Sequence, residues 1–327
     1  MAFTIATMTD DFVLDSPRHD QSTFSGRFLH FLNVIDPRTL FTSDKVLQEY
    51  VGLLDQYKQG NLPPGVTSDD LWRAQKAKQA ILHPDTGDKI PMPFRMAGFV
   101  PFGAPIVVGL LLPNQTLLST TFWQWLNQSH NACVNYCNRN ASQSTTTKDV
   151  LLGYTGAVSS AVGIALGLNI LLKKSTKLKP VTRKLVQRFI PFPAVAVASV
   201  CNVVLMRHSE LQTGIQVTDK NDNVVGISRK AAKKALMETA ATRAFLPAPI
   251  LLIPPVLMSM VERTSFLRKY PRMNLPAQFI FATASFSLAL PLAIALFPQK
   301  SQINSDDLEE ELREKTTEKV LFYNKGL

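Results

Sequence analysis

The sequence predicts an all-α multipass membrane protein with about five transmembrane helices, a soluble helical N-terminal region and one small hairpin in a loop. Only 18% of the 327 residues are charged, and five stretches of the chain contain no Asp, Glu, Lys or Arg at all. Each stretch has 17 to 24 residues. At about 1.5 Å per helical residue, this length matches a hydrocarbon core about 30 Å thick. Buried helices of a soluble protein fit less well, because they average about 10–14 residues.

The five uncharged stretches define a predicted transmembrane domain, residues 96–298. The first stretch is the weakest, because it is short and interrupted by Pro101 and Pro105. Leu117–Cys137 also lacks charge but is rich in Asn, Gln and Ser, so it either enters the membrane or lies at its surface. A count of four or six spans therefore stays open. The predicted spans are residues 96–112, 151–172, 189–206, 244–261 and 275–298.

The polar N-terminal region, residues 1–95, shows helical periodicity. Thr42 or Ser43 caps one predicted helix that ends at Gly60, and Ser68 caps a second helix that ends at His83. Both helices carry apolar residues at helical spacing. We therefore expect a soluble helical unit before the first span.

Two further elements are predicted outside the spans. Residues 215–217 and 224–227 are short β-branched runs on either side of a polar turn, which predicts a hairpin. The acidic C-terminal tail, residues 299–327, predicts a short solvated helix over residues 305–319.

Small residues predict how the second span packs. Close helix contact in membranes favours small side chains at every fourth position. The residues with this spacing are Thr155, Ser159, Gly163 and Gly167.

The distribution of basic residues predicts the orientation. Residues 173–188 hold seven Lys or Arg and no acid, and residues 262–274 hold four against one acid. By the positive-inside rule these loops face the matrix or cytoplasm. With five spans, the N-terminal region shares that side and the tail lies opposite. The net charge of +10 is thus membrane-flanking, and no nucleic-acid partner is expected.

The chain shows no sign of enzymatic chemistry. It contains no P-loop, GxGxxG, HExxH, GxSxG or CxxC pattern, and its five histidines lack ligand spacing. We therefore predict neither an enzyme nor a metal or cofactor. No cleavable presequence is expected either. The first 16 residues contain Asp10, Asp11 and Asp15, and no basic residue precedes Arg18.

Carboxamide side chains form the most informative polar pattern. Asn127, Asn131, Asn135 and Asn138 follow spacings of four, four and three, which place them on one face of a helix. Carboxamides offer donors and acceptors without charge, which suits a zwitterion. The alternative is that they only bond to neighbouring helices or water. Prolines interrupt four of the five spans and favour transport. The candidate substrate-binding residues are Asn127, Gln128, Asn131, Asn135, Asn138 and Asn202.

Several motifs together resemble the sideroflexin family, and the resemblance covers nearly the whole chain. His130, Cys133 and Cys137 stand where less polar or other small residues are expected. The hairpin before Ser228 fits the family as well. The motifs are Pro63-Pro64-Gly65, Leu71-Trp72, His83-Pro84-Asp85-Thr86-Gly87, Trp123-Gln124-Trp125, Asn127-Gln128-Ser129 and the stretch from Asn131 to Arg139.

The resemblance implies a mitochondrial inner-membrane transporter of small neutral amino acids, above all serine for one-carbon metabolism. The N-terminus would then lie in the matrix and the C-terminus in the intermembrane space. The expected partners are the solute, membrane lipid, and further copies or other inner-membrane proteins. The alternatives are a non-transporting scaffold or assembly factor and a tricarboxylate (citrate) carrier. The motif of His83, Pro84, Asp85, Thr86 and Gly87 is interpreted as a structural or gating corner.

Overall fold

The computed structural model of the chain describes residues 11–83, 86–113, 115–138, 147–174, 180–220, 223–296 and 300–324. It is mostly helical with one small sheet, which confirms the predicted all-α multipass class. The helices are α1 (Phe24–Val34), α2 (Asp44–Lys58), α3 (Ser68–Ile81), α4 (Phe99–Leu110), α5 (Leu117–Cys137), α6 (Thr147–Lys174), α7 (Pro180–Phe189), α8 (Pro191–Met206), α9 (Glu210–Thr213), α10 (Arg229–Phe245), α11 (Pro247–Val261), α12 (Ser265–Lys269), α13 (Asn274–Leu296) and α14 (Glu310–Arg313). The strands are β1 (Ile215–Thr218), β2 (Val224–Ser228), β3 (Lys300–Asn304) and β4 (Val320–Asn324).

Among the described residues, four helical segments are long and apolar enough to cross a membrane, and they correspond to the second to fifth predicted spans. The first predicted span holds only α4. Its 12 residues extend about 18 Å at about 1.5 Å per residue, which is short of a hydrocarbon core of about 30 Å. Most of α4 is buried within the bundle. The long segments are Val150–Lys174, Val186–Met206, Arg229–Val261 and Pro271–Ala295.

The polar segment Leu117–Cys137 is a single helix, α5, that packs against α4 and α6. The Trp125 indole donates to the Tyr154 hydroxyl (3.1 Å), and Asn138, just after α5, donates to the Phe94 carbonyl (2.8 Å). Since Phe94 precedes α4, the pair α4–α5 is a hairpin that returns the chain to the end of the bundle where α4 begins. This place in the bundle favours the membrane-entering alternative for the segment, which stays a prediction.

The N-terminal region and the start of the tail lie at one end of the bundle, which we call the terminal end. Arg27 Nε of α1 donates to the carbonyl of Ala295, in the last turn of α13 (2.9 Å). At the opposite, basic end, Arg188 pairs with Glu262 at 2.7 Å. This packing differs from the prediction that the N-terminal region shares a side with the basic loops and lies opposite the tail, because Arg27 joins the N-terminal region to the end of α13 that leads into the tail. The predicted topology did not include the α4–α5 hairpin, because the Asn and Gln residues of α5 made it unlike a membrane span in the sequence.

The N-terminal helices follow the sequence closely. The Ser43 hydroxyl accepts from the amide of Val46 at the start of α2, and the chain turns after α2 at Gly60, whose φ is +75°. The cap of α3 is Thr67 rather than Ser68, because Thr67 forms a capping box with Asp70. These caps fix the α2–α3 hairpin.

The predicted hairpin is confirmed, but it is half of a larger sheet. Strands β1 and β2 pair antiparallel, and the tail adds two strands to give the order β2-β1-β4-β3. The predicted tail helix over residues 305–319 is wrong, since only Glu310–Arg313 is α-helical. The reason is that the tail supplies apolar residues to a shared core with α10. Those buried residues are Ile303, Leu308, Leu312, Leu321 and Tyr323.

The packing face of α6 also differs from the prediction. A Cβ placed on Gly163 or Gly167 would meet open space, so these two glycines make no close helix contact. The face of α6 that contacts α8 is offset by two residues from the predicted face. It begins at Gly153, where a Cβ would lie 2.2 Å from Met206. Ala157, Ala161 and Ala165 continue this buried face.

Candidate functional site

A small cavity, the central cavity, lies between α4, α5, α8, the α10–α11 segment and α13. Its volume is about 80 Å³, against about 30 Å³ for one water in the liquid. Apolar side chains form most of its wall. The polar residues that line it are Asn127, Gln128, His130, Asn131, Asn135, Ser199, Asn202 and Arg243.

Five of the six candidate carboxamides line the central cavity. Asn127, Asn131 and Asn135 do so because a spacing of four repeats one face of α5. Gln128 and Asn202 join them from α5 and α8. Asn138 does not line the central cavity, because its side chain donates to the carbonyls of Phe94 and Val134 beyond the last turn of α5.

The carboxamides of the central cavity have unused hydrogen-bonding capacity. The Asn127 Nδ2 and Gln128 Nε2 atoms are buried and meet no acceptor in the part of the chain that the structure describes. Within the same residues, the side chains of Asn131, Asn135 and Asn202 make no hydrogen bond. Buried polar groups in proteins are normally paired, and an unpaired one costs about 1–3 kcal/mol. A polar solute or water in the cavity would supply the missing partners.

Aromatic rings form one wall of the central cavity. His130 Nε2 donates to the Pro93 carbonyl (3.2 Å), and its ring stacks on Phe99 with centroids 5.7 Å apart. Phe99 in turn meets Phe286 edge-on at 5.3 Å. Gly103 leaves room for this contact, because a Cβ there would lie 2.7 Å from the Phe286 ring.

Arg243 is the only Lys or Arg among the described residues of the cavity wall. It is half-buried and makes no ion pair or hydrogen bond within the described part of the chain. Its neighbour Arg207 is bound to Glu210 at 2.6 Å. Arg243 directly precedes the predicted span of residues 244–261, so the sequence places it at the edge of that span, within reach of the interior. Phe99 and Phe286 carried no sequence signal, because apolar residues in a span look alike until the helices are packed.

The described residues of the 83–87 motif, His83, Thr86 and Gly87, contact one another in the N-terminal region and do not line the central cavity. The Gly87 amide donates to the His83 carbonyl (2.9 Å), the Thr86 amide donates to His83 Nδ1 (3.3 Å), and Gly87 has a φ of +73°. Lys89 pairs with Asp44 and so ties the corner to α2. Pro84 and Asp85 lie outside the described residues. The geometry is that of a structural corner, and a gating role stays a prediction.

A larger cavity, the vestibule, lies at the terminal end and measures about 1150 Å³. N-terminal residues form most of its wall, and Asn138, Gln302 and Phe322 complete it. Five cations line it, of which Arg38 and Lys76 share the carboxylate of Asp36. These contacts, chiefly the hydrogen bond from Arg38, hold the pKa of Asp36 far below its usual range. The cations are Arg18, Arg27, Arg38, Arg73 and Lys76.

Two histidines of the vestibule are kept neutral by their surroundings. Burial, and then the charge of Arg18, holds the pKa of His19 below its ordinary value of 6.5. Burial and the nearby His19 lower the pKa of His30 in the same direction. No group of three His, Cys, Asp or Glu side chains that could hold a metal ion occurs in the described ranges.

The long apolar helices and the polar chamber between them define a multipass helical membrane protein. A family model described as sideroflexins matches residues 13–327, and the chain belongs to this family. No solved structure matches the chain significantly.

Named relatives span nearly the full length of the chain. Sideroflexin-5 of Homo sapiens is 60% identical over 316 residues, which cover 97% of this chain and 93% of the relative. Sideroflexin-5 of Caenorhabditis elegans is 51% identical, with 97% and 96% covered. Sideroflexin-1 of Homo sapiens is 40% identical over 319 residues, with 96% and 97% covered.

Proposed function

We propose that the protein transports small neutral amino acids, with L-serine as the first candidate, across the mitochondrial inner membrane. The observation that carries this proposal is a carboxamide-lined cavity between the apolar helices, with Arg243 as its single described Lys or Arg. Resemblance to the sideroflexins supports the compartment and the substrate class. No enzymatic step is part of the proposal.

The size and chemistry of the central cavity fit a small zwitterion. A volume of about 80 Å³ admits only a few heavy atoms. Each carboxamide presents both a carbonyl acceptor and an N–H donor, so one set of side chains can serve an ammonium and a carboxylate. Asn127, Asn131, Asn135 and Asn202 approach from two helices, α5 and α8, and can contact opposite sides of one solute.

Citrate fits the central cavity poorly. A tricarboxylate needs several charge-assisted hydrogen bonds, typically from two or more Arg or Lys. The described wall offers Arg243 as its single Lys or Arg. The tricarboxylate alternative would therefore need the basic vestibule to act as its binding site.

The test is uptake of labelled L-serine into liposomes that contain the purified protein, with labelled citrate in parallel. We expect saturable serine uptake that alanine competes, and none in empty vesicles. Citrate uptake alone would contradict the proposal in favour of a tricarboxylate carrier. Uptake of neither solute by folded protein would favour the scaffold.

A matched set of variants connects uptake to the central cavity. Asn131→Ala and Asn135→Ala each remove a cavity carboxamide, and we expect each to reduce uptake at least fivefold, about 1 kcal/mol, at unchanged protein abundance. Asn61→Ala is the control, because Asn61 is exposed in the N-terminal region. Equal uptake by all three variants would show that the side chains of Asn131 and Asn135 are not needed for transport.

A further inference from the structure

Arg243 differs from the other arginines near the ends of the bundle. Arg188 pairs with Glu262, Arg207 pairs with Glu210, and Arg95 donates to the Ile90 carbonyl. Arg243 alone among these lines the central cavity, and none of the described residues pairs with it. It lies near the end of α10, where the continuous helical segment Arg229–Val261 enters its apolar part.

An unpaired guanidinium in this position is costly. It carries five N–H donors and a permanent charge, and partial removal from water without an anionic partner is unfavourable. The charge that acts on Arg243 is that of a second cation, Arg207, whose carboxylate partner Glu210 is already held by two hydrogen bonds, at 2.8 and 2.6 Å. The described chain therefore supplies no anion for Arg243, and a bound solute can.

We propose that Arg243 binds the carboxylate of the transported solute, in a bidentate pair. This inference rests on the proposed function and names its anchoring residue. Guanidinium and carboxylate match in geometry, so one Arg both attracts and orients a monocarboxylate. The carboxamides of Asn131, Asn135 and Asn202 then face the rest of the solute.

The same wall determines which part of the solute is recognised by charge. No Asp or Glu lines the central cavity among the described residues, so an ammonium group finds only neutral acceptors there. The carboxylate is thus the recognised charge, and removing it from the solute should matter more than removing the ammonium.

The experiment combines variants with solute analogues in proteoliposomes. We expect Arg243→Gln to raise the KM for L-serine at least tenfold, which corresponds to about 1.4 kcal/mol, and Arg243→Lys to recover part of the loss. The control is Arg229→Gln, at an exposed position of the same helix, with an unchanged KM. L-Alanine should compete with serine uptake, whereas ethanolamine, which lacks the carboxylate, should not. An unchanged KM in Arg243→Gln, or competition by ethanolamine equal to that by alanine, would overturn the assignment.

A binding assay separates this inference from the proposed function. Should the wild-type protein carry no amino acid, the transport proposal fails, and thermal stabilisation by L-serine and L-lactate then tests Arg243 directly. Stabilisation of the wild type that is lost in Arg243→Gln and retained in Arg229→Gln would support a carboxylate site. The absence of any stabilisation by either carboxylate, or equal stabilisation in Arg243→Gln, would overturn it. The melting temperature of each variant without solute shows whether it is folded.

Discussion

The contact of Gly103 with Phe286 shapes the central cavity at the scale of a single residue. A Cβ on Gly103 would lie 2.7 Å from the Phe286 ring, so this ring approaches the backbone of α4 closely, whereas His130 would be in ordinary contact at 3.9 Å. The ring of Phe286 is packed and has little freedom to move, since only 4% of the residue is exposed. The shape of the cavity therefore depends on a missing side chain.

We expect Gly103→Ala to lower stability by about 1–3 kcal/mol, the usual cost of overpacking a core, and to reduce uptake. Gly163→Ala is the matched control, because a Cβ there meets open space. In a helix interior, alanine is favoured over glycine by about 0.5–1 kcal/mol, so this control should be neutral or stabilising. Melting temperature and uptake of both variants check the prediction, and equal behaviour of the two would contradict it.

The hydrogen bonds of His19 indicate that the stability of the N-terminal region depends on pH. Lys76 Nζ donates to the Asn33 carboxamide oxygen (3.2 Å), which directs the Asn33 nitrogen to His19 Nε2, also at 3.2 Å. In this arrangement His19 is neutral and accepts at Nε2. Protonation would replace the acceptor with a second donor, in a residue that is only 6% exposed.

The pKa values of His19 and His30 lie below 6.5 in the folded chain, so the unfolded state binds protons more tightly. The stability that the two neutral histidines contribute is fully present above about pH 6.5. It is lost as the pH falls through their pKa values in the folded chain. The protection factors of the amides of residues 19–34 in the full chain, which correct hydrogen exchange for the intrinsic rate at each pH, should fall from pH 7.5 to 5.5. The double variant His19→Gln, His30→Gln should show a smaller pH effect, and an identical pH profile would count against this account.

At the scale of elements, the tail is connected to α10 through Glu309. Its carboxylate accepts from the backbone amides of Arg229 and Lys230, at 2.9 and 3.0 Å, and from the Ser228 hydroxyl at 2.7 Å. Burial alone would raise the pKa of Glu309, but these donors outweigh it and lower the pKa. The residue thus caps the positive end of a helix more than 70 residues earlier in the chain.

We expect Glu309→Gln to weaken this cap by about 1 kcal/mol and Glu309→Ala by up to about 2 kcal/mol. Limited proteolysis of the folded protein should then cleave the tail faster in both variants. Glu314→Gln is the control, since Glu314 is an exposed residue of the same tail. Cleavage at the wild-type rate in Glu309→Ala would show that the cap does not hold the tail.

Local patterns predicted some elements and missed others for physical reasons. The α2 start and the β1–β2 hairpin depend on neighbours in sequence, so Ser43 and the turn before Val224 predicted them. Strand β4 pairs with β1 about 100 residues away, at Val217 with Tyr323, and no local pattern encodes that partner. For the same reason, helical spacing predicted that the Asn residues share one face of α5. It could not predict that Arg243, on another helix, lines the same cavity.

At the scale of the whole molecule, the contacts across the bundle set its topology. The N-terminal region meets the end of α13 through Arg27, and the vestibule is lined by both the N-terminal region and the tail. The loops with the highest excess of Lys and Arg lie at the other end, near the pair of Arg188 and Glu262. If the basic end faces the matrix, as the positive-inside rule predicts, the N-terminal region and the tail both face the intermembrane space.

Labelling of single cysteines in mitoplasts tests this topology. In a background without Cys133, Cys137 and Cys201, an impermeant maleimide should label Glu49→Cys and Arg313→Cys, at exposed positions of the N-terminal region and the tail. Arg268→Cys, at an exposed position of the short helix α12 at the basic end, should react only after detergent is added. Because one membrane separates the two ends of the bundle, the first two sites must behave alike and the third must differ. Labelling of the tail without the N-terminal site would contradict the shared end, whereas labelling of Arg268→Cys alone would keep the shared end and reverse the orientation.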